Sequence, residues 1–433
     1  MDKKIDLKAA IAIGIGGMVG GGIFAVLGLA VTLGKGGTPV SFLIAGIIAL
    51  LTAYSYVRLS LTYPDRGGTV RFINQGFGIG IFSGGINNLL WISYIIMLSL
   101  YASAFGSYAP NLLKITGGQR IDYHIYLSLI IIFATAINYY SIQVVGKIES
   151  YAVIVKLTIL LSFVVIGLYE LSGNPNLTQL TLTHWESPLK ILTAGMVIFV
   201  AYEGFELIAN AAPDIIDPVK NIPRAYYYSV IFVMLLYIII ATITVGSLPF
   251  SQIATAQDYV LAEAAKPMLG HFGFTIITIA ALISTFSAIN ASLYGGSRVS
   301  YEIAEDDELP HELTSMLWNH PVGLLITAIV TLLMANTLNL ESISTAGSVG
   351  FLLIFATVNC VGLKLSRITG GTKIIPLAGF LLCLTATVLL IIQQLSANRT
   401  GVIVSIGIIT SCFLMEYIFK KTETGKSKAV RKI

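Results

Sequence analysis

The feature that most constrains this chain is the recurrence of long apolar runs. Runs of about 20 residues, long enough to cross a bilayer as helices, occur near 9–33, 39–63, 82–109, 123–142, 149–171, 188–212, 225–248, 271–300, 322–340, 345–366, 374–395 and 400–419. Only 11% of the 433 residues are charged, whereas roughly a quarter are charged in an ordinary soluble domain. The sequence therefore predicts an all-α polytopic membrane protein with twelve transmembrane helices, numbered here as spans 1 to 12.

The basic residues predict how the spans are oriented. Nineteen of the 26 Lys and Arg residues fall in the termini and one alternating set of loops, six fall in the opposite set, and Lys156 lies inside span 5. Loops rich in Lys and Arg stay in the cytoplasm. We therefore expect a multi-pass protein of the cell membrane whose N- and C-termini are both cytoplasmic, with residues 420–433 as a basic tail near the anionic inner leaflet.

Span 1 contains a glycine run that disfavours a continuous helix. Six of the nine residues from 14 to 22 are glycine, and three in a row at 20–22 predict a helix that ends near Gly20 and resumes at Phe24. Irregular backbone at membrane depth is tolerated only where it lines a cavity or is buried in protein. We interpret Gly20–Gly22 as a binding site, while for Gly16 and Gly17 close helix packing is an equally good account.

Span 6 is interrupted in a similar way, by Gly204 between the carboxylates Glu203 and Glu206. Ionisable residues inside a membrane are costly and are functional candidates by default. Glycine-interrupted segments at corresponding positions of two halves point to the midplane site of an inverted-repeat transporter. Spans 1 and 6 are five apart, so we predict one transporter domain over 1–419, with repeats at about 9–171 and 188–366 and two added helices at about 374–419.

Span 5 contains the lone intramembrane lysine, Lys156. Its ammonium group has two possible positions: it can snorkel toward the interface, or it can point inward to the break in span 1. Burial favours the neutral amine, so an inward lysine can bind and release a proton during transport. A cation fixed beside the break can also replace a bound sodium ion.

Other classes of function are disfavoured by the same sequence. An enzyme needs a nucleophile, a base or a metal cluster, but the five histidines are dispersed and the three cysteines, Cys360, Cys383 and Cys412, lack metal-binding spacing. The glycine run is not followed by the Lys-Ser/Thr of a nucleotide loop. We expect no enzymatic activity, no cofactor, no metal and no nucleic-acid partner. Paired helix breaks favour alternating access over the continuous pore of a channel.

Four segments together resemble the amino acid–polyamine–organocation superfamily of secondary transporters, in particular its proton-coupled bacterial and archaeal amino acid permeases. They are 16–24 in span 1, 201–206 in span 6, 217–225 after it, and 294–301 with the following 306–310. The resemblance implies a LeuT-like fold with a 5+5 inverted repeat, in which spans 1, 2, 6 and 7 rock against the remainder. It also implies an amino acid substrate whose carboxylate meets backbone amides in span 1 and whose ammonium meets carbonyls in span 6.

Carried onto this sequence, the resemblance assigns the substrate site and the coupling site. The expected substrate-binding residues are Gly20, Gly21, Gly22, Ile23, Phe199, Ala201, Tyr202, Glu203 and Gly204. The expected proton-coupling residues are Lys156 with its neighbours Gly16, Val19, Ser284 and Ser287, and secondarily Glu206. Trp91 and Tyr94 of span 3 are expected to pack rather than to contact substrate.

Glu203 departs from the family pattern, where an apolar residue is usual. It is either a carboxyl held protonated or hydrogen-bonded in a polar gap, or a substrate contact that would favour a cationic side chain or an amine. The predicted function is proton-coupled symport of amino acids or related amines by a monomer or homodimer, with an amino acid/amine exchanger as the alternative and a sodium-coupled symporter as the least favoured mechanism.

Overall fold

The computed structural model describes residues 4–140, 142–171, 175–305, 316–317 and 320–430. Within these ranges the chain is almost entirely helical, apart from two two-residue strands, β1 (Met316–Leu317) and β2 (His320–Pro321), that pair antiparallel. The predicted segment 306–310 lies outside the described residues.

The helices are α1 (Leu7–Met18), α2 (Gly22–Gly34), α3 (Thr38–Thr62), α4 (Thr69–Phe77), α5 (Ile81–Tyr108), α6 (Gln119–Tyr140), α7 (Ile142–Leu171), α8 (Pro188–Val197), α9 (Leu207–Ala211), α10 (Pro218–Ser247), α11 (Phe250–Thr255), α12 (Val260–Ala264), α13 (Lys266–Glu305), α14 (Val322–Thr337), α15 (Leu340–Lys364), α16 (Ile374–Ala397) and α17 (Arg399–Val430). Short 3₁₀ turns at 109–111, 175–180, 182–184, 199–202, 212–214 and 257–259 complete the chain.

Every predicted span coincides with a helix or with a bent pair of helices. Among the described residues, nine helices are long and apolar enough to cross a membrane. Two further crossings are bent pairs, α1 with α2 at 47° and α8 with Phe199–Asp214 at 50°. The ninth predicted span is α14, whose 16 residues extend only about 24 Å at 1.5 Å per residue. The prediction of an all-α polytopic membrane protein is confirmed.

Local sequence explains where the first and sixth spans begin. Asp6 caps α1, since its carboxylate accepts a hydrogen bond from the Ala9 amide at 2.8 Å, which satisfies one of the donors left open at a helix start. Ser187 caps α8 and Pro188 occupies its first turn, where a missing N–H has no consequence.

The first bent span packs against long helices of the molecule. Helix α1 packs against α10, which also packs against α3, and α2 packs against α5, which also packs against α13. The start of α1 is tied to the end of the sixth span, because the Ile5 amide donates to the Asp214 carbonyl at 2.8 Å and the Ile216 amide donates to the Ile5 carbonyl at 2.9 Å. This arrangement holds both bends in the buried centre of the molecule.

Candidate functional site

The two bends cross with their backbones in contact. A Cβ built on Gly17 would lie 2.7 Å from the carbonyl oxygen of Gly204, and one built on Gly22 would lie 3.0 Å from the Cα of Ala201. Gly204 has φ +118°, a conformation that side-chain-bearing residues rarely adopt. Gly17 therefore permits close helix packing. The break in span 1 is next to the break in span 6.

The carbonyl groups at the end of α1 receive side-chain donors from α7 and α13. The Lys156 ammonium of α7 donates to the Gly16 carbonyl at 3.0 Å, and the side chain of Lys156 is fully buried. The Ser284 hydroxyl of α13 lies 3.1 Å from the Val19 carbonyl and 2.6 Å from that of Gly20. The lysine thus points inward and does not snorkel.

Ser287 is the predicted neighbour of Lys156 that the structure does not join to the break by a hydrogen bond. It lies on α13, one turn after Ser284, and is 1% exposed. Its hydroxyl has no hydrogen-bond partner among the described residues. Of the predicted coupling group, Lys156, Gly16, Val19 and Ser284 meet directly at the break.

The start of α2 presents open donors. Within the described part of the chain, the amides of Gly21, Gly22 and Ile23 make no hydrogen bond to a protein acceptor, as expected for the first turn of a helix. All three residues are buried. Buried donors at a helix N-terminus, where the helix dipole is positive, favour an anionic ligand group.

The break in span 6 is held mainly by α15. The Val197 carbonyl at the end of α8 accepts hydrogen bonds from the Ser344 and Ser348 hydroxyls, both at 2.8 Å. The Ser348 hydroxyl also accepts from the Val200 amide at 3.1 Å. These serines satisfy backbone groups that a continuous helix would satisfy itself.

Tyr237 of α10 bridges the two breaks. Its hydroxyl lies 2.7 Å from the Met18 carbonyl and 3.3 Å from the Ala201 carbonyl, and the residue is fully buried. One side chain therefore contacts a carbonyl from each broken span, so that the two spans cannot move apart without the loss of at least one of these hydrogen bonds.

Glu203 and Glu206 place two buried carboxyl groups beside this crossing. The Tyr101 hydroxyl donates to Glu203 Oε2 at 3.1 Å, and the Gly204 amide donates to Glu206 Oε2 at 2.8 Å. The two carboxyl groups are close enough to interact with each other. Neither forms an ion pair with a described residue, so the pair is a net acidic centre enclosed by protein.

The other predicted residues lie in the sixth span and in α5. Phe199, Ala201 and Tyr202 form the 3₁₀ turn of the sixth span, and the Tyr202 hydroxyl donates to the Phe42 carbonyl at 2.7 Å. Trp91 donates through Nε1 to the Thr327 hydroxyl of α14 at 3.0 Å. Among described residues, no group of three or more His, Cys, Asp or Glu side chains is positioned to hold a metal ion.

Sequence reasoning missed four residues of this centre: Tyr101, Tyr237, Ser344 and Ser348. Each is a hydroxyl-bearing residue inside an apolar span, which is the only signal that could have selected them. That signal is weak, because membrane helices also carry serines that bond within their own helix, as Ser405 of α17 does with the Gly401 carbonyl at 2.6 Å.

Comparisons with known proteins identify the family. A model of amino acid permeases matches residues 5–417. The chain is 33% identical over 423 residues to an uncharacterized protein of Methanocaldococcus jannaschii, covering 97% of this chain and 96% of that protein. It is 31% identical over 424 residues to the inner membrane transport protein YbaT of Escherichia coli, covering 98% of each.

A more distant relative is the branched-chain amino acid permease BcaP of Bacillus subtilis, which is 22% identical over 379 residues, covering 82% of this chain and 79% of that protein. The family model spans nearly the whole chain, including both broken helices. The chain therefore belongs to the amino acid permease family, within the amino acid–polyamine–organocation superfamily of membrane transporters.

Proposed function

We propose that this protein is a secondary active transporter that carries an amino acid or a related amine together with protons by alternating access. The observation that carries the proposal is the buried Lys156 ammonium, 3.0 Å from the Gly16 carbonyl at the break in span 1. It joins an ionisable side chain to the segment that carries the open amides of Gly21, Gly22 and Ile23.

The helix ends at the crossing suit a zwitterion. The substrate carboxylate would bind the amides at the positive end of α2, and the substrate ammonium would bind carbonyls near Phe199, Ala201 and Tyr202, after the negative end of α8. A Cβ built on Gly22 would lie only 3.0 Å from the Ala201 Cα, and this closeness of the two breaks supports a single small ligand that reaches both ends. The Tyr237 hydroxyl now on the Ala201 carbonyl would yield that oxygen to the ammonium.

Protonation of Lys156 would control the geometry of the break. An ammonium stabilises the exposed carbonyl dipole of Gly16, and the neutral amine loses that charge, so deprotonation weakens the contact between α7 and span 1. The Ser284 hydroxyl on the Val19 and Gly20 carbonyls completes a set of groups like those that hold a sodium ion. With the ammonium in place, sodium is redundant. The Glu203–Glu206 pair is a secondary place for a proton, since neighbouring buried carboxylates do not both ionise readily.

The partners of the two breaks support the proposed pair of five-span repeats. The break in span 1 receives donors from Lys156 of span 5 and Ser284 of span 8. The break in span 6 receives them from Ser348 of span 10 and Tyr101 of span 3. Each partner in one set is five spans from its counterpart, which is the relation that inverted repeats require.

The test is uptake by purified protein in liposomes, with an inward proton gradient and no sodium. Labelled probes are apolar amino acids, because one relative is a branched-chain amino acid permease, followed by cationic amino acids and amines. We expect accumulation that collapses with a protonophore. Uptake that occurs only into vesicles preloaded with unlabelled substrate would identify an exchanger instead, and uptake that requires sodium would contradict the coupling mechanism.

The coupling residue is tested by Lys156→Ala, with Lys190→Ala as the matched control because Lys190 is exposed and pairs with Glu186. We expect Lys156→Ala to abolish proton-driven accumulation while counterflow, which needs no net proton movement, persists. Lys190→Ala should behave like the wild type. Unchanged proton-driven uptake by Lys156→Ala would rule out the coupling role.

A further inference from the structure

A polar cavity of about 430 Å³ lies away from the crossing of the two breaks. The end of α5, the start of α6 and the segment 254–259 form its walls. Its polar lining includes Asn111, Gln119, Arg120, Gln257, Asp258 and Tyr259. Three other hollows, by contrast, are lined mostly by apolar side chains. The volume is within the range of about 300–1,000 Å³ typical of small-molecule sites.

The cavity is connected to the broken span through its walls. Residues 257–259 pack against α2, and Gly28 of α2 directly contacts the backbone of Gln257. Gly28 is six residues after Gly22, which is about 9 Å along a helix. Tyr108, at the end of α5, donates to the Phe24 carbonyl in the first turn of α2 at 3.3 Å. The cavity therefore lies about two turns of α2 from the break, on the side opposite the predicted cytoplasmic termini.

Two opposite charges line this cavity without pairing. Neither Arg120 nor Asp258 forms an ion pair with a described residue. The nearby acid Asp122 is already occupied, because its carboxylate accepts from the Ile115 amide at 3.0 Å and the Thr116 amide at 2.8 Å, and it does not line the cavity. Arg120 and Asp258 are thus left to bind groups of opposite charge.

The surroundings of Asp258 favour a cationic partner. Asp258 lies between spans, where its exposed side chain lines the cavity, and partial desolvation by the surrounding protein raises the pKa of its carboxyl group. An ammonium group beside it would form a charge-assisted hydrogen bond. The guanidinium of Arg120 offers paired donors that match a carboxylate.

We propose that this cavity is an outer capture site for a zwitterionic amino acid, with the ligand ammonium at Asp258 and the ligand carboxylate at Arg120. The choice of ligand rests on the proposed function, since the same molecule would then pass to the break in span 1. A ligand in the cavity would contact the segment 257–259, which packs on α2, so capture and the position of α2 are physically linked.

Protection of an introduced cysteine tests the site independently of transport. The background is the full chain with its three cysteines replaced, in which Ser107→Cys places a thiol in the cavity wall. The rate at which this thiol reacts with a charged, membrane-impermeant maleimide is measured. Glycine, L-alanine and L-leucine are the probes, with acetate and ethylamine as single-charge controls. A zwitterion at twice its dissociation constant should slow labelling roughly threefold, because only the empty third of the molecules reacts. Thr255→Cys, also in the lining, is the second reporter if Ser107→Cys does not fold.

Substitution in the reporter background assigns the effect. Asp258→Asn and Arg120→Gln should each abolish protection, whereas Glu263→Gln, whose native carboxylate pairs with Lys266 at 2.7 Å outside the cavity, should preserve it. Absence of protection by all three amino acids in the wild-type lining, protection that survives Asp258→Asn, or equal protection by acetate or ethylamine would overturn the proposal. Proton-driven uptake without protection refutes only the capture site, and protection without such uptake refutes only the proposed transport mechanism.

Discussion

Replacing Gly204 by alanine should destabilise the protein strongly, because this residue is where the two broken spans cross. Gly204 has φ +118°, and a Cβ built there would lie 2.5 Å from the Met18 nitrogen and 2.7 Å from the Gly17 Cα. Both are backbone atoms, which cannot swing aside as the tip of a side chain can. Backbone strain of about 1–3 kcal/mol and overpacking of about 1–3 kcal/mol together give a loss of about 2–6 kcal/mol. A loss of this size is a large fraction of the roughly 5–15 kcal/mol that stabilises a folded protein.

The matched control is Gly370→Ala. Gly370 also has a positive φ, +63°, but nothing lies within 4 Å of a Cβ built there. Alanine at this position should therefore cause only the conformational cost of a left-handed residue, about 1–2 kcal/mol. The difference between the two variants isolates the contact between the broken spans.

The assay is thermal unfolding of purified protein in detergent at a fixed scan rate, since unfolding of such a protein is expected to be irreversible. We expect the apparent Tm to fall in the order wild type, Gly370→Ala, Gly204→Ala, and proton-driven uptake to be lost in the last. An apparent Tm for Gly204→Ala equal to or above that of Gly370→Ala would refute the close crossing of spans 1 and 6.

Two further changes probe the groups around the breaks. Tyr237→Phe leaves the buried carbonyls of Met18 and Ala201 without this donor and should lower the unfolding free energy by about 1–3 kcal/mol. The control is Tyr228→Phe on the same helix, because Tyr228 is 54% exposed. An equal apparent Tm in the two variants would contradict the bridging role of Tyr237. Desolvation raises the pKa of Asp258 above its ordinary 3.8, so the folded state holds this proton more tightly than the unfolded chain. Because the residue is exposed to solvent, ionised Asp258 destabilises the fold only slightly at neutral pH. Asp258→Asn should therefore raise the apparent Tm at neutral pH, with the gain vanishing as the pH falls below the ordinary range of an aspartate; a gain that persists in acid would show that the carboxylate is not the cause.

The fold could be predicted in outline because the bilayer leaves few alternatives. Backbone groups in a membrane must be satisfied within helices or a closed barrel, so each apolar run of about 20 residues became a helix or a bent pair. Helix ends were harder to predict, since they depend on caps and on neighbours. Span 8, predicted over 271–300, is the longer α13 (Lys266–Glu305), and span 9 is the shorter α14 (Val322–Thr337).

The candidate site could be predicted only in part. The glycine run indicated that the helix must break, because glycine lacks the side chain that restricts backbone conformation. It could not indicate which groups would satisfy the freed carbonyls. The sequence itself indicated Lys156 as the lone lysine inside a span, and the resemblance supplied Ser284. Their hydrogen bonds reach the carbonyls of Gly16 and Gly20, and their roles in coupling stay predictions.

The sequence by itself determined a membrane protein of many helices with breaks in spans 1 and 6, because hydrophobicity and glycine content act locally along the chain. Only the tertiary structure decided that Gly17 and Gly204 touch, that Tyr237 bridges the two breaks, and that Arg120 and Asp258 line one cavity. These residues are distant in sequence, and their contacts depend on how whole helices pack against one another. Helix packing is set by many side chains together, so no single segment of the sequence specifies it.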